Sequence, residues 1–275
     1  MTLFVSSKTL TIVIDNSKVC LIIDDFFLSP IKFFTGLEIL KRIIKYDNFD
    51  VYVLLRSNII VKNKYSIIFN YLFFLITFKF KACHKSKVIT KFFKYKNILS
   101  CTRNLFIFLL ILKNRVLVTN SLENAIVLNF FKVNNFDYGI LRGGGIVKKN
   151  ICYLFKQGII NLHCAGELPK YRGIGSLEKA LLDNENICIN VHFINDKIDS
   201  GKEIKIFKIN NLNVRCIHSL YARLHLFASL LLCRLIKTKP LSTDCTDLDD
   251  SYPICSLNSI PSLQIDTLVT KRFSK

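Results

Sequence analysis

Two polar side chains, placed two positions apart in an apolar run, are the clearest chemical feature of this sequence. Asn161 and His163 follow Ile159 and Ile160, with Leu162 between them. Alternate residues of a β-strand point to the same face, so the amide and the imidazole would project side by side. An amide N–H can bond a developing oxyanion and an imidazole can move a proton. The pair therefore suits acyl-transfer chemistry.

The residue that follows this pair is a cysteine, which could act as a nucleophile or pack in the core. Cys164 comes directly after His163, and neighbouring strand residues face opposite ways. We therefore predict that Cys164 packs in the core. The chain then enters a loop that is closed by Pro169 and Gly173.

Strands and helices around the pair predict an α/β fold. The apolar runs Val19–Ile23 and Val51–Leu55 read as strands, and the apolar spacing of residues 33–44 between them reads as a helix. Strand, helix, strand is the opening of a mostly parallel sheet with helices on both faces. Asp24 and Asp25 after the first strand are expected to be a solvated strand end. Further elements are predicted at Leu10–Ile14, Val116–Thr119, Asp137–Leu141, Gly175–Leu182, Ile187–Phe193, Ile204–Ile209 and Ser219–Lys237.

Length and composition set the broad class. The chain has 275 residues, of which 51% are apolar, enough for one large domain or two small ones. The formal net charge of +19 points to an anionic partner or to a basic solvated surface. The ten cysteines contain no Cys-x-x-Cys pair, and no secretory signal precedes them. We therefore predict a cytoplasmic protein with reduced thiols and no metal site.

Much of the positive charge lies in one stretch, residues 61–115. This stretch contains twelve Lys or Arg residues and no Asp or Glu, together with the apolar runs Tyr65–Phe78 and Leu105–Leu112. Neither run reaches the roughly 18–20 apolar residues that span a bilayer. The composition predicts either peripheral contact with an anionic membrane surface or a basic, apolar helical insertion packed on the sheet. A nucleic-acid partner is not expected, because no groove-binding or single-strand motif accompanies the charges.

Two ordered motifs resemble those of a known family. Asn161-Leu162-His163, followed by Leu168-Pro169-Lys170-Tyr171-Arg172-Gly173, is similar to the Asn-x-His and Leu-Pro-x-Tyr-Arg-Gly signature of the folate-dependent formyltransferases. His192-Phe193, followed by Asp199-Ser200-Gly201, resembles that family's next block. The resemblance covers roughly residues 116–237 well and residues 10–56 loosely. It implies a Rossmann-like formyltransferase fold.

The same resemblance implies the chemistry and the residues of a site. The formyl donor would be 10-formyltetrahydrofolate, and the catalytic residues would be Asn161, His163 and Asp199. His192 also matches the family, but a structural role is expected for it within its strand. The remaining implied residues are the folate contacts Arg142, Gly143, Gly144, Gly145, Ile146 and Asp196, and the substrate-loop residues Leu168, Pro169, Tyr171, Arg172 and Gly173.

The acceptor amine is left open by the sequence. Fewer than forty residues follow Lys237, too few for the extra barrel that the methionyl-tRNA enzymes of the family carry. The glycinamide-ribonucleotide enzymes have a phosphate loop where this chain has Asp24 and Asp25. A small-molecule amine, such as a nucleotide- or lipid-linked amino sugar, remains. The alternatives are those two acceptors, formyltetrahydrofolate hydrolysis, and a folate-binding or membrane-adapter protein without turnover.

Two further expectations concern the family pattern and the domain organisation. Residues 164–167 stand where the family usually has Pro, a small residue and leucines, and Glu167 would add a charge near the acceptor. We predict a catalytic domain over residues 1–237 that includes the insertion at 61–115. Residues 238–275, rich in Ser, Thr, Asp and Pro over their first part, would form a short irregular C-terminal tail.

Overall fold

A computed structural model describes the parts of the chain that carry the predicted site. The residues described are 17–24, 30–46, 49–56, 115–143, 145–210, 212, 214, 216–238, 246–248, 254–255 and 262–273. The expected strand Leu10–Ile14, Asp25, Gly144 and all of the basic segment except Arg115 lie outside these residues.

Strands and helices alternate through the catalytic region, as the sequence predicts. The predicted strands from Val19 onward are all present, with ends that differ by a few residues. In chain order the elements are β1 (Ser17–Asp24), α1 (Pro30–Ile43), β2 (Phe49–Arg56), β3 (Val116–Thr119), α2 (Ala125–Asn134), β4 (Tyr138–Arg142), α3 (Lys149–Cys152), β5 (Gly158–Ala165), β6 (Arg172–Gly173), α4 (Ser176–Leu182), β7 (Ile187–Ile194), β8 (Gly201–Ile209), α5 (Ile217–Thr238), β9 (Thr246–Asp247), β10 (Ile254–Cys255) and α6 (Ser262–Phe273).

The main sheet has the strand order β3-β2-β1-β4-β5-β7-β8-β9. The first five strands in this order are parallel, and β7, β8 and β9 continue the sheet antiparallel. The mostly parallel Rossmann-like sheet is therefore confirmed. Strand order changes direction between β1 and β4, and in open α/β sheets ligands bind at the carboxyl ends of the strands beside such a point.

Side chains alternate between two cores, one on each face of the sheet. Val19, Leu21 and Ile23 of β1 pack in one core together with residues of α1, α4, α5 and α6. Cys20 and Ile22 pack in the other core with residues of α2 and α3. This alternation follows from the two-residue period of a strand. It confirms helices on both faces.

The C-terminal segment differs from the predicted irregular tail. Ser262–Phe273 forms α6, and its side chains Ile265, Val269 and Phe273 are buried in the same core as α5. These residues are spaced four apart, so they form one apolar stripe of the helix. The amide of Val214 also donates to the carbonyl of Phe273, at 3.0 Å. The last helix is therefore part of the fold, whereas the domain boundary at residue 237 stays a prediction.

One described helix is apolar enough to raise the question of a membrane span. Ile217–Ile236 in α5 is long and apolar enough by composition, but 56% of its most apolar window is buried inside the protein. Leu220, Leu224 and Leu232 of this helix belong to the core on the sheet. The helix is apolar because it packs against α1 and β5.

Candidate active site

Strand β5 presents the predicted pair on one face, with Asn161 in the middle of the strand and His163 nearer its carboxyl end. Asn161 is partly exposed and His163 is buried, and both point away from the core that holds Leu162 and Cys164. Cys164 lies on the reverse face, where its Sγ is 3.6 Å from Nδ1 of His225. Burial raises the pKa of the Cys164 thiol to about 12. A buried protonated thiol agrees with the predicted packing role.

The loop between β7 and β8 brings Asp199 to this pair. Its Oδ2 lies 3.3 Å from Nδ1 of His163 and accepts a hydrogen bond of 2.9 Å from the backbone amide of Gly173. Burial alone would raise the pKa of Asp199, but the charge and hydrogen bond of His163, together with the Gly173 amide, hold it well below its usual range. The carboxylate is therefore ionised near neutral pH. Asp199 has a φ of 44°, a left-handed conformation that is uncommon for a residue other than glycine.

The amide of Asn161 completes the cluster through two long contacts. Its Nδ2 lies 3.5 Å from Oδ1 of Asp199 and 3.4 Å from Nε2 of His192. On the other side of the histidine, Nε2 of His163 is 2.7 Å from the carbonyl oxygen of Tyr171. Both ring nitrogens of His163 thus face acceptors, an arrangement that a doubly protonated ring satisfies in full. The structure brings together all three residues that the family resemblance implies for catalysis.

The predicted substrate loop mostly points into the protein. Leu168, Tyr171 and Arg172 are buried. The Tyr171 hydroxyl donates to Asp183 at 3.0 Å, and Nε of Arg172 donates to the carbonyl of Ile198 at 2.9 Å. These contacts hold the loop against its neighbours. Pro169 and Gly173 are partly exposed, and the backbone of Gly173 contacts Asp199 directly. The loop therefore contacts the site through its backbone.

Glu167, expected to add a charge near the acceptor, has a partner at the surface. Its carboxylate is exposed and lies 3.6 Å from Nζ of Lys208 on β8. The backbone amide of the next residue, Leu168, donates to Oδ1 of Asn190, which fixes the turn. The charge that departs from the family pattern is therefore paired at the surface of the sheet.

Arg142, an expected folate contact, has a buried side chain, and its contact with folate stays a prediction. Its guanidinium is 1% exposed, and Nη2 donates to Thr35 Oγ1 at 3.0 Å and to Nδ1 of His225 at 2.9 Å. The side chain lies between the sheet and helices α1 and α5, because Arg142 shares the strand face of Ile140. Burial lowers the pKa of this guanidinium.

The glycines after Arg142 pack on an ion pair that the sequence did not reveal. Asp24 at the end of β1 is buried and accepts a hydrogen bond of 2.7 Å from Nε of Arg56 at the end of β2. The expectation of a solvated strand end is therefore wrong for Asp24. A Cβ on Gly143 would lie 2.6 Å from Cβ of Asp24, and a Cβ on Gly145 would lie 3.2 Å from Nη1 of Arg56. Adjacent parallel strands ending in Asp and Arg are the signal that could have predicted this pair.

Two other expected folate contacts lie at the surface. Ile146 is 66% exposed directly after the glycines, and Asp196 is exposed in the loop between β7 and β8. Both are accessible to a ligand, and their binding role stays a prediction. Within the described ranges, no group of three or more His, Cys, Asp or Glu side chains could hold a metal ion.

Lys32, which the sequence did not single out, lies within electrostatic range of Asp199. Lys32 lies half-buried in the first turn of α1, beside the carboxyl ends of β1 and β4. Burial and the charge of Arg142 lower the pKa of Lys32, whereas the carboxylates of Asp24 and Asp199 act in the opposite direction.

Comparisons with known proteins agree with this fold. No family model matches the sequence. The bifunctional polymyxin resistance protein ArnA of Wigglesworthia glossinidia brevipalpis is 32% identical over 113 residues, which are 39% of this chain and 17% of that protein. The methionyl-tRNA formyltransferase of Protochlamydia amoebophila is 32% identical over 89 residues, 32% of this chain and 27% of that enzyme. The chain thus matches less than a third of the length of these curated relatives.

Solved structures show the same architecture over most of the chain. A 4-N formyltransferase from Francisella tularensis superposes with a TM-score of 0.53 at 13% identity, covering 93% of this chain and 87% of that one. The N-formyltransferase from Helicobacter canadensis, solved with folinic acid and dTDP-3-aminofucose, gives a TM-score of 0.51 at 18% identity, covering 92% and 79%. These formyltransferase structures share the fold of this chain, and the curated relatives share sequence with part of it.

Proposed function

We propose that this protein transfers a formyl group from 10-formyltetrahydrofolate to an amine. The observation that carries the proposal is the contact of His163 with an ionised Asp199 beside the amide of Asn161. An imidazole, a carboxylate and an amide within one cluster supply the proton carrier and the oxyanion donor that acyl transfer needs.

In the proposed reaction, the amine nitrogen attacks the formyl carbon and the carbonyl oxygen gains negative charge. The Asn161 amide donates to this oxygen, because its present contacts of 3.4 and 3.5 Å are long and easily exchanged for a shorter bond. Both ring nitrogens of His163 face other acceptors, so an imidazolium there, held by Asp199, stabilises the same charge through its positive charge and not through a direct hydrogen bond. The C–N bond to the folate then breaks. The proton lost by the amine passes to the Asp199 carboxylate and from there, directly or through water, to N10 of the leaving tetrahydrofolate.

The proposed acceptor is the amine of a nucleotide- or lipid-linked amino sugar. The neighbour from Helicobacter canadensis was solved with a nucleotide-linked amino sugar, dTDP-3-aminofucose. In this chain, Lys32 provides a cation near Asp199 that could pair with a phosphate of such a carrier. Methionyl-tRNA is the second candidate, because one of the curated relatives is a methionyl-tRNA formyltransferase.

The experiment is to incubate the purified protein with 10-formyltetrahydrofolate and follow tetrahydrofolate release with and without a panel of amines. The panel contains nucleotide-linked amino sugars, glycinamide ribonucleotide and methionyl-tRNA. Release that depends on an amine supports the transferase. Release without any amine indicates a hydrolase, and folate binding without release under any condition indicates an adapter. Either of the last two outcomes refutes the proposed transfer.

A further inference from the structure

His192 lies opposite Asn161 in the sheet. The two residues are direct partners in the antiparallel pairing of β5 with β7, and a register shift separates Val191 from His192 on the β8 side. His192 is fully buried, with its Nε2 3.4 Å from Nδ2 of Asn161. This contact is slightly shorter than the 3.5 Å contact of the same amide with Asp199.

The surroundings of His192 determine which ring nitrogen carries the proton. Nδ1 lies 3.2 Å from the carbonyl oxygen of Phe193 and 3.3 Å from that of Ser200. Carbonyl oxygens only accept, so Nδ1 must be the N–H donor. Burial lowers the pKa of His192 to about 4, with Asp199 acting against the shift and His163 acting with it. The ring is therefore neutral near neutral pH, which leaves a lone pair on Nε2.

A lone pair on Nε2 determines how the Asn161 amide is oriented. Both of its neighbours, His192 Nε2 and the ionised Asp199 carboxylate, can only accept hydrogen bonds. The amide NH2 must then face them, and the amide oxygen must face away. The opposite orientation would set the amide oxygen against the Asp199 carboxylate and against the negative charge that grows in the reaction.

We propose that His192 is a positioning residue that fixes the amide orientation of Asn161, so that its NH2 group and not its oxygen lies on the side of Asp199, where a long N–H contact can be exchanged for one to the developing oxyanion. This inference rests on the proposed formyl transfer and adds a residue to its site. Asp199 alone leaves the orientation weakly determined, because its contact with the amide is 3.5 Å. The second acceptor, at 3.4 Å, favours the same orientation and adds to the preference.

Two variants separate positioning from simple packing. His192→Phe keeps an aromatic ring but removes the acceptor, and His192→Gln keeps a side chain that can accept. We expect His192→Phe to lower kcat by up to about 10²-fold, the range for losing one oxyanion donor, with KM for both substrates changed little. His192→Gln should recover part of this loss. Thermal unfolding of both variants identifies any variant that fails to fold.

A double-mutant cycle with Asn161→Ala gives the sharper kinetic test. If His192 acts through Asn161, adding His192→Phe to Asn161→Ala causes no further loss in kcat, whereas independent effects multiply. A multiplied loss overturns the proposal, and so does a His192→Phe variant as active as the wild type.

A spectroscopic readout does not depend on turnover. Nitrogen-15 NMR of the labelled protein near neutral pH should show His192 with a protonated Nδ1 and an unprotonated Nε2, and this pattern should persist in Asn161→Ala. An Nε2-protonated ring overturns the positioning role. A protein that shows the expected tautomer but releases no formyl group with any amine instead refutes the proposed function and leaves the orientation of Asn161 intact.

Discussion

Replacing Gly143 by alanine should strongly destabilise the glycine segment beside the site. The new Cβ would lie 2.6 Å from Cβ of Asp24 and closer still to its carboxyl group. Asp24 cannot move aside cheaply, because it is buried and held by Arg56 at 2.7 Å. Overpacking of this kind costs about 1–3 kcal/mol, and the φ of 127° at Gly143 adds about 1–2 kcal/mol for a side chain.

The expected total for Gly143→Ala is therefore about 2–5 kcal/mol of unfolding free energy, or a fall in Tm of about 5–15 °C for a protein of this size. Chemical denaturation followed by circular dichroism measures it. Gly145→Ala is the matched control. Its Cβ meets only the flexible end of Arg56, at 3.2 Å, so its cost is the strain of φ 67°, about 1–2 kcal/mol. A Gly143→Ala variant within about 0.5 kcal/mol of the wild type would refute the packing of Gly143 on a fixed Asp24.

Two other predictions concern the carboxylate of the site and the basic segment. Because the pKa of Asp199 is depressed in the folded protein, its ionised form stabilises the fold above the usual aspartate pKa of about 3.9, and this contribution is lost as pH falls through the folded-state pKa. The stability difference between the wild type and Asp199→Asn, measured by denaturation across pH, should therefore shrink on acidification below about pH 5, and a constant difference would contradict the ionised pair. The same variant should lower kcat by about 10²–10⁴-fold, and an unchanged kcat would count against proton transfer through this pair. Contact of residues 61–115 with anionic membranes predicts liposome flotation that weakens with added salt, and flotation independent of lipid charge and salt would exclude it.

Periodicity predicted the parts of the fold that depend on local pattern. The continuous apolar run of β1 and the helical spacing of α1 are both local signals, and both elements are present. The site cluster was also predictable, because Asn161 and His163 share a strand face and Asp199 follows a second recognisable motif. Their contact in the structure is a consequence of β5 and β7 being neighbours.

The features that the sequence did not predict depend on contacts between residues that are far apart in the chain. Arg142 looked like a ligand contact after a strand, but the helices over its strand face enclose its guanidinium. Asp24 looked solvated because its partner, Arg56, lies 32 residues away on the neighbouring strand. The stripe of α6 follows a polar segment, and only its docking on the core shows that it is structural. Each of these depends on which elements meet in space, which a local pattern does not contain.

The most direct test of formyl transfer is to follow the formyl carbon itself. With carbon-13 in the formyl group of 10-formyltetrahydrofolate, NMR should show the label moving to the amine of a nucleotide-linked amino sugar. His163→Ala should slow this movement by about 10²-fold or more. Label that appears as free formate at the same rate with and without an amine, or a His163→Ala variant as fast as the wild type, would contradict formyl transfer at this site.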